Sequence, residues 1–200
     1  MKDTESAVRM VGRLEAKGIL VAEGLPMVDA AVTIAAQAHS GQKDKGGKPY
    51  IGHPLRVMVS LGLAGASDEL LAAAVLHDTL EDTRVEMVDL FAAGLPELVR
   101  VTLDALTRRK DETYTKFIER IVHSTDEALA VKAADIADHL DPARAVPATV
   151  SLRPRYLKAL EILGAELHRR LPGIAGGPHA SLLAGIHVLR LARERAERSA

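Results

Sequence analysis

One segment limits the folds open to this chain more than any other, because it joins an apolar helix to a run of acids. Residues 70–82 read LLAAAVLHDTLED. The first seven are apolar on nearly every side of a helix, which is typical of a helix buried in a core. In a continuous helix, the ionisable residues of the next six share one arc of about 140°. These residues are His77, Asp78, Glu81 and Asp82.

Three neighbouring carboxylates are very costly to bury unless a cation compensates their charge. A divalent metal ion would resolve this conflict, since imidazole and carboxylate are both ligands for such ions and further carboxylates can orient a water molecule. The alternative is a solvated acidic helix end with a histidine cap. Taken alone, the segment leaves both interpretations open.

The rest of the sequence favours helices. It has no Trp, three Tyr and two Phe, and it lacks runs of alternating β-branched residues that would predict strands. Pro54 and Ser67 fit helix starts, and Ser124 with Glu127 predicts a capping box. We therefore predict an all-α fold, a compact multi-helix bundle with a C-terminal helical appendage. Helices are predicted over residues 27–39, 54–62, 68–82, 96–106, 111–123, 127–140, 153–171 and 179–198.

Three regions are predicted along the chain. Residues 1–25 form an N-terminal helical extension, residues 26–171 form the main domain, and residues 172–200 form a linker and a last helix. The segment LPGIAGGP before that helix is the one clear helix breaker. The last helix carries an apolar stripe that the domain or a partner must cover, and the sequence leaves this choice open. The stripe consists of Leu182, Leu183, Ile186 and Leu189.

Charge and composition exclude several classes of protein. Lys and Arg total 26 against 27 Asp and Glu, which argues against a nucleic-acid-binding protein but permits a small phosphorylated ligand. The absence of Cys excludes disulfides, thiol catalysis and cysteine metal sites. No apolar stretch approaches the roughly 20 residues of a membrane span, and the charged N-terminus lacks a secretory signal. We therefore expect a soluble, cytoplasmic protein that binds neither nucleic acid nor membranes.

A second apolar helix also carries charge. Within residues 128–140, Asp135 lies among Ala, Val and Ile, with Lys132 one turn earlier. The pattern fits either a charge pair in the core or a metal ligand.

A third candidate feature is the segment SGQKDKGGKPYIGH at residues 40–53, which is rich in Gly and Lys. Its lysines are able to bind phosphates, but they also fit solvated loop charges. His53, just before a helix, by itself fits a structural residue. The conjunction of the three features points to a site.

These pieces, in this order, resemble the HD superfamily of metal-dependent phosphohydrolases: HP at 53–54, HDTLED at 77–82 and KAAD at 132–135. Over residues 27–163 the chain more closely resembles the hydrolase domain of the RelA/SpoT alarmone enzymes and the stand-alone, Mesh1-like small alarmone hydrolases. The stretches AHSGQKDKGGKPYIGHPLRV, AVLHDTLEDT and VKAADIADHL carry this resemblance.

The resemblance implies a site with one Mn²⁺ ion, and it alone selects manganese among divalent ions. The implied metal ligands are His53, His77, Asp78 and Asp135. Glu81 and Asp82 match the acidic pair that handles the attacking water. The implied reaction removes the 3′-pyrophosphate from (p)ppGpp to give GDP or GTP and pyrophosphate.

The resemblance also implies three substrate-binding residues. Lys45 matches a lysine near the nucleotide, Lys132 either neutralises phosphate or pairs with an acid, and His139 stands where the long enzymes carry Asn. Tyr50 fits a scaffold residue better than a substrate contact.

The chain departs from the family pattern where the nucleotide would bind. Asp44 stands where the RelA/SpoT loop carries Arg, and an anion there repels phosphate. Ile136 and Ala137 replace basic and bulky residues. Phosphohydrolase chemistry is therefore better supported than guanine specificity, and a ppApp-type alarmone, NADPH or a dNTP is an alternative substrate. A third hypothesis is an antitoxin-like partner of a small alarmone synthetase. A homo-oligomer is compatible with each of these.

Overall fold

The computed structural model describes residues 13–144, 150–170 and 180–197. Within these residues the regular secondary structure is helical, and β-structure is limited to one antiparallel bridge between Lys43 and Pro49. The predicted all-α fold is confirmed. None of the helices in these ranges combines the length and the apolar character that a membrane span needs.

The helices are numbered here in chain order, and most begin and end within three residues of the predicted bounds. They are α1 (Met27–Ala38), α2 (Gly52–Gly62), α3 (Asp68–Leu76), α4 (Thr79–Asp82), α5 (Met87–Ala92), α6 (Glu97–Leu106), α7 (Tyr114–Val122), α8 (Asp126–His139), α9 (Arg153–Arg170) and α10 (Ala180–Glu197), with a 3₁₀ turn at Pro142–Arg144 after α8.

Side-chain caps explain where two of these helices begin. The Ser67 hydroxyl accepts a hydrogen bond from the Leu70 amide, as predicted for the start of α3. The predicted capping box at Ser124 is wrong, because Thr125 is the N-cap of α8 and its hydroxyl accepts from the Ala128 amide. The Ser124 hydroxyl instead donates to the Ile121 carbonyl, which terminates the preceding helix.

The segment 68–82 is not one continuous helix. α3 ends at Leu76 and α4 begins at Thr79, with a turn at His77 and Asp78 between them. The arc calculated for an unbroken helix is therefore wrong. The turn directs the His77 ring inward, and its Nδ1 lies 2.8 Å from the Ala74 carbonyl oxygen.

Two buried helices organise the core. α3 packs against α1, α2 and α6, and residues Ala72–Leu76 have no exposed surface. α8 packs against α2, α9 and α10 and is buried along most of its length. The sequence marks these same two helices as apolar segments interrupted by charge. Their ionisable residues are therefore attached to backbone that lies in the core.

The C-terminal helix packs on the domain. Val188, Leu189 and Ala192 of α10 are buried, and a Cβ added at Gly185 would lie 3.2 Å from the Ala130 Cα of α8. The domain thus covers this part of the apolar stripe. The side chains of Leu182 and Leu183, the start of the N-terminal extension (1–12) and the linker (171–179) lie outside the described residues, and the three-region division stays a prediction.

Candidate metal centre

Three buried side chains from separate helices meet at one point. His53 lies in the first turn of α2, His77 in the turn after α3, and Asp135 in α8. Asp135 Oδ1 lies 3.2 Å from His53 Nε2 and 3.8 Å from His77 Nε2. The three atoms lie within 4.8 Å of one another. We call these three residues the metal cluster.

The facing atoms of the metal cluster lack hydrogen-bond partners. His53 Nε2, His77 Nε2 and Asp135 Oδ1 are all buried and unpaired, and such groups are rare in native proteins unless an ion or water satisfies them. The nearest neighbour of each imidazole Nδ1 is an oxygen that can only accept, an arrangement that favours the proton on Nδ1 and leaves the Nε2 lone pair facing the cluster. Imidazole nitrogen and carboxylate oxygen suit a divalent transition-metal ion, and the cluster is a candidate site for one.

Asp78 adjoins the metal cluster. Its Oδ2 lies 3.1 Å from His77 Nε2 and 3.6 Å from His53 Nε2, and it accepts a 2.5 Å hydrogen bond from the Tyr50 hydroxyl. The structure thus brings all four predicted ligands together, and Tyr50 holds one of them in place.

The two predicted water-handling acids lie on α4 at the edge of the site. Glu81 Oε2 accepts a hydrogen bond from the Arg108 amide, and Asp82 Oδ2 lies 3.2 Å from the Tyr50 hydroxyl. Partial desolvation raises the pKa of both carboxyls, and the negative charge of Asp78 adds to each increase. A carboxylate with a raised pKa is a better proton acceptor, as a general base requires.

Lys132 resolves the two interpretations of Asp135. Its ammonium lies 2.6 Å from Asp135 Oδ2 and 4.9 Å from the centre of the Phe117 ring. Burial alone would lower the pKa of Lys132, but the charge of Asp135 raises it. Because Lys132 uses Oδ2 and the metal cluster uses Oδ1, the carboxylate is at once a core ion pair and a candidate ligand.

A cavity of ≈ 590 Å³ adjoins the metal cluster. One wall is residues 40–51, which we call the lysine loop, and the opposite wall is the end of α8 and the turn after it. Predicted substrate-binding residues Lys45 and His139 both line this cavity. Its lining residues are Lys43, Asp44, Lys45, Gly46, Lys48, Tyr50, Arg56, Asp82, His139, Ala143, Arg144 and Tyr156.

A smaller cavity of ≈ 130 Å³ lies over the acids. Both Glu81 and Lys132 line it, together with Asp78 and Asp135. Tyr50, His139 and Tyr156 line both cavities, so the two share a wall. A ligand in the large cavity would therefore lie next to the metal cluster.

His139 belongs to this shared wall. Its ring stacks on Tyr156 with centres 5.2 Å apart and planes at 9°, and its centre lies 4.5 Å from that of His53. Its Nε2 lies 3.2 Å from Asp135 Oδ1. The side chain thus contacts the metal cluster and remains partly exposed to the cavity.

Asp44 shapes the lysine loop. Its Oδ1 accepts hydrogen bonds of 2.9 Å from the amides of Gly46 and Lys48, and its Oδ2 lies 3.9 Å from an Arg144 nitrogen. Burial opposes ionisation, but these hydrogen bonds and the Arg144 charge lower the pKa of Asp44. The carboxylate is therefore charged and held inside the cavity wall.

Sequence reasoning missed three residues of the site. Asp138 lies one turn after Asp135 on α8 and contacts His53, so its spacing from Asp135 was a usable signal. Arg56 and Arg144 contact Asp138 and line the large cavity. Arg56 lies in the quoted stretch that ends HPLRV but was given no role, and no local pattern marks Arg144.

Comparisons with known proteins agree with this geometry. The family model described as HD domain matches residues 31–148, more than half of the 200-residue chain. A guanosine-3′,5′-bis(diphosphate) 3′-pyrophosphohydrolase of Aquifex aeolicus is 35% identical over 118 residues, or 57% of this chain and 17% of that protein. The enzyme of the same description named MESH1, from Danio rerio, is 36% identical over 111 residues, or 52% of this chain and 62% of that protein. This chain thus covers less than two thirds of the length of either relative.

A solved structure agrees at the level of fold. It is that of a metazoan orthologue of SpoT that hydrolyses ppGpp, and it matches with a TM-score of 0.60 and 22% identity over 88% of this chain and 99% of that one. The overall fold is therefore shared with that protein.

Proposed function

Because this chain belongs to the HD domain family, we propose that it is a metal-dependent pyrophosphohydrolase that removes the 3′-pyrophosphate from (p)ppGpp, giving GDP or GTP and pyrophosphate. The observation that carries this proposal is the convergence of three unpaired buried atoms, on His53, His77 and Asp135, beside a cavity lined by cations. Two relatives, 35% and 36% identical to this chain over the matched residues, are described as enzymes of this reaction.

In this proposal His53, His77, Asp78 and Asp135 hold a single Mn²⁺ ion. A bound divalent ion supplies Lewis-acid polarisation of a phosphoryl oxygen and lowers the pKa of water. The two imidazoles contribute neutral Nε2 ligands because their protons are held on Nδ1. Manganese itself is implied by the family resemblance, and the donor set supports only a divalent ion.

Glu81 and Asp82 carry the proton transfer. The raised pKa of Glu81 suits it to accept the proton of the attacking water, and the Arg108 amide fixes the position of its carboxylate. The Tyr50 hydroxyl donates its one proton to Asp78 at 2.5 Å and lies 3.2 Å from Asp82 Oδ2, so that residue sets the spacing between the acidic pair and the ligands. Tyr50 thus acts through other side chains.

The large cavity takes the nucleotide. Its volume of ≈ 590 Å³ falls within the range of about 300–1,000 Å³ that is typical of small-molecule sites. Lys45 and the neighbouring lysines of the lysine loop neutralise the phosphates. Lys132 lines the smaller cavity next to Asp135 and offsets negative charge there. His139 lines both cavities and contacts the metal cluster, so it would bind the nucleotide beside the metal ion.

Purified protein incubated with (p)ppGpp and Mn²⁺ tests the proposal by measurement of released pyrophosphate. We expect turnover that a chelator abolishes and that added Mn²⁺ restores. Bound Mn²⁺ without pyrophosphate release would contradict the substrate assignment, and failure to bind any divalent ion would contradict the metal centre.

A second substrate class is favoured by one observation. Asp44 presents a charged carboxylate to the cavity where the RelA/SpoT resemblance leads us to expect an arginine. The second candidate is therefore the same hydrolysis on another nucleotide: a ppApp-type alarmone, NADPH or a dNTP. The kcat/KM values for a panel of these nucleotides decide between the two, since the true substrate will give the highest value.

Several predictions from the sequence stay predictions. These are the cytoplasmic location, the homo-oligomer and the antitoxin-like partnership with a small alarmone synthetase. Glu81 and Asp82 argue against a purely structural metal site, because a stabilising ion needs no further acids beside it.

A further inference from the structure

One side chain to which the sequence analysis gave no role contacts a candidate metal ligand directly. Asp138 Oδ2 lies 2.6 Å from His53 Nδ1, across a sequence separation of 85 residues. Both side chains are almost fully buried, at 9% exposed for Asp138 and 1% for His53. Arg144 Nη1 also lies 3.2 Å from this nitrogen, but Arg144 donates to Asp138 Oδ2, and the carboxylate is the nearer neighbour of the ring. Because a carboxylate can only accept, this geometry favours the proton on His53 Nδ1, and a turn of the ring would break the bond.

Two arginines stabilise the Asp138 carboxylate in its buried position. Arg56 Nε donates to Oδ1 at 2.8 Å, and Arg144 donates to Oδ2. Burying an unpaired carboxylate would be very costly, and these two cations offset that cost. Both arginines donate to this carboxylate, which accepts at both of its oxygens and faces His53 Nδ1 with Oδ2.

His77, the other imidazole of the metal cluster, is oriented differently. Its Nδ1 faces the backbone carbonyl of Ala74, which no substitution removes. Only the orientation of His53 therefore depends on another side chain. Its Nε2 is unpaired and faces Asp135 at 3.2 Å.

We propose that Asp138 is a positioning residue: its carboxylate, held by Arg56 and Arg144, fixes the His53 ring with Nε2 toward the metal cluster. The inference rests on the proposed metal centre. Carboxylates that orient a metal-ligating histidine in this way typically contribute about 10–100-fold to metal affinity. Asp138 touches no reacting atom in this assignment, because it acts through His53.

The first experiment measures Mn²⁺ affinity by titration calorimetry without nucleotide. We expect D138A to bind Mn²⁺ about 10–100-fold more weakly than the unmodified chain. D138N keeps an oxygen that can accept from Nδ1, so its loss should be smaller. D104N is the matched control, since Asp104 is an exposed aspartate paired with Arg109 away from the site, and it should bind normally. If D138A does not fold by circular dichroism, D138L, which also offers no acceptor to Nδ1 but fills the space, carries the comparison.

The second experiment reads the His53 tautomer in the metal-free protein. Nitrogen-15 NMR at about pH 9, well above the ordinary imidazole pKa, should show the proton on Nδ1 in the unmodified chain, with the signal assigned by its loss in H53Q. In D138A we expect the preference of the His53 proton for Nδ1 to weaken or reverse. In D138N we expect the same preference to persist.

Two outcomes decide the inference. Unchanged Mn²⁺ affinity together with an unchanged His53 tautomer in D138A would overturn it. If the unmodified chain shows the Nδ1 tautomer and D138A loses it, the positioning role stands even where pyrophosphate release from (p)ppGpp fails, so the two proposals are tested separately.

Discussion

The metal cluster and the lysine loop lie side by side but are built differently. His53, His77 and Asp135 are buried and project from helices or helix ends that the apolar core holds in place. The lysine loop has a single antiparallel bridge, and Lys43, Lys45 and Lys48 are exposed. Rigid elements position reacting groups more accurately than loops do. The comparison therefore suggests that the core fixes the reaction, while the loop sets which nucleotide is used.

The largest effect is expected at the metal cluster. D135N removes the charge of one candidate ligand while keeping its shape. Loss of a residue that only orients a ligand lowers metal affinity by up to about 100-fold, so Mn²⁺ affinity should fall by more than that in D135N. Hydrolysis should be lost. Titration calorimetry and pyrophosphate release measure both quantities. D104N is the control, and normal Mn²⁺ binding by D135N would remove Asp135 from the metal cluster.

Substitutions at Glu81 and Asp78 should affect different quantities, the rate of hydrolysis and the binding of the metal. E81Q keeps the oxygen that accepts from the Arg108 amide but cannot take up a proton. We expect kcat to fall about 10²–10⁴-fold with Mn²⁺ affinity unchanged, whereas D78A should lose the metal. E119Q, an exposed site on α7, is the control. Equal metal loss in E81Q and D78A would contradict these roles.

The lysine loop should affect substrate binding with little effect on rate. K45A removes an exposed cation from the cavity wall, and an exposed pair of about 1 kcal/mol corresponds to about a fivefold increase in KM. Mn²⁺ affinity and kcat should stay the same. Steady-state kinetics measures KM and kcat, with K110A as the matched surface control. A fall in kcat with constant KM would indicate that Lys45 acts in the hydrolysis step instead.

Substitution of Asp44 should lower KM, whereas substitution of Lys45 should raise it. D44N keeps the oxygen that accepts from the Gly46 and Lys48 amides and removes the negative charge. Weaker repulsion of phosphate should lower KM for (p)ppGpp about twofold, as expected for a few tenths of a kcal/mol at a surface site. An increase in KM would indicate that the carboxylate itself contacts the nucleotide.

The smallest effect on hydrolysis is expected for a substitution in the Arg120–Glu112 ion pair, which stabilises the fold away from the metal cluster. Arg120 on α7 donates to both oxygens of Glu112 and to the Thr107 carbonyl, which ties down the loop after α6. The hydrogen bonds from Arg120 lower the pKa of Glu112 from 4.5 to about 2. E112Q should lower the free energy of unfolding at neutral pH by about 1–3 kcal/mol, as expected for hydrogen bonds between charged groups, with kcat almost unchanged.

The stability difference between the unmodified chain and E112Q should depend on pH, because the pKa of Glu112 is lowered in the folded state. Because the folded pKa of Glu112 is lower than the unfolded one, its contribution to stability is present above about pH 4.5 and is lost as the pH falls toward 2. Denaturant unfolding of both proteins should therefore converge across this range. A difference that persists at pH 2 would assign the effect to packing.

The predictable part of the fold was local. Helix content followed from apolar spacing and from caps such as Ser67, because those interactions join residues a few positions apart. The start of α8 was misplaced by one residue, since Ser124 and Thr125 are both able to cap and only the structure shows which hydroxyl meets the Ala128 amide. The turn at residues 77–78 was missed because a uniform helical period hides a break.

The sequence by itself determined which helices are buried and which of their residues are ionisable, because an acid or imidazole in an apolar run such as residues 70–82 stands out locally. The tertiary structure alone decided what those groups meet: the Asp138 carboxylate behind His53, Arg144 opposite Asp44, and α8 beneath the last helix. These contacts join positions tens of residues apart. The chain must fold before they exist, so spacing in the sequence can single out a residue such as Asp138 but does not record its partner.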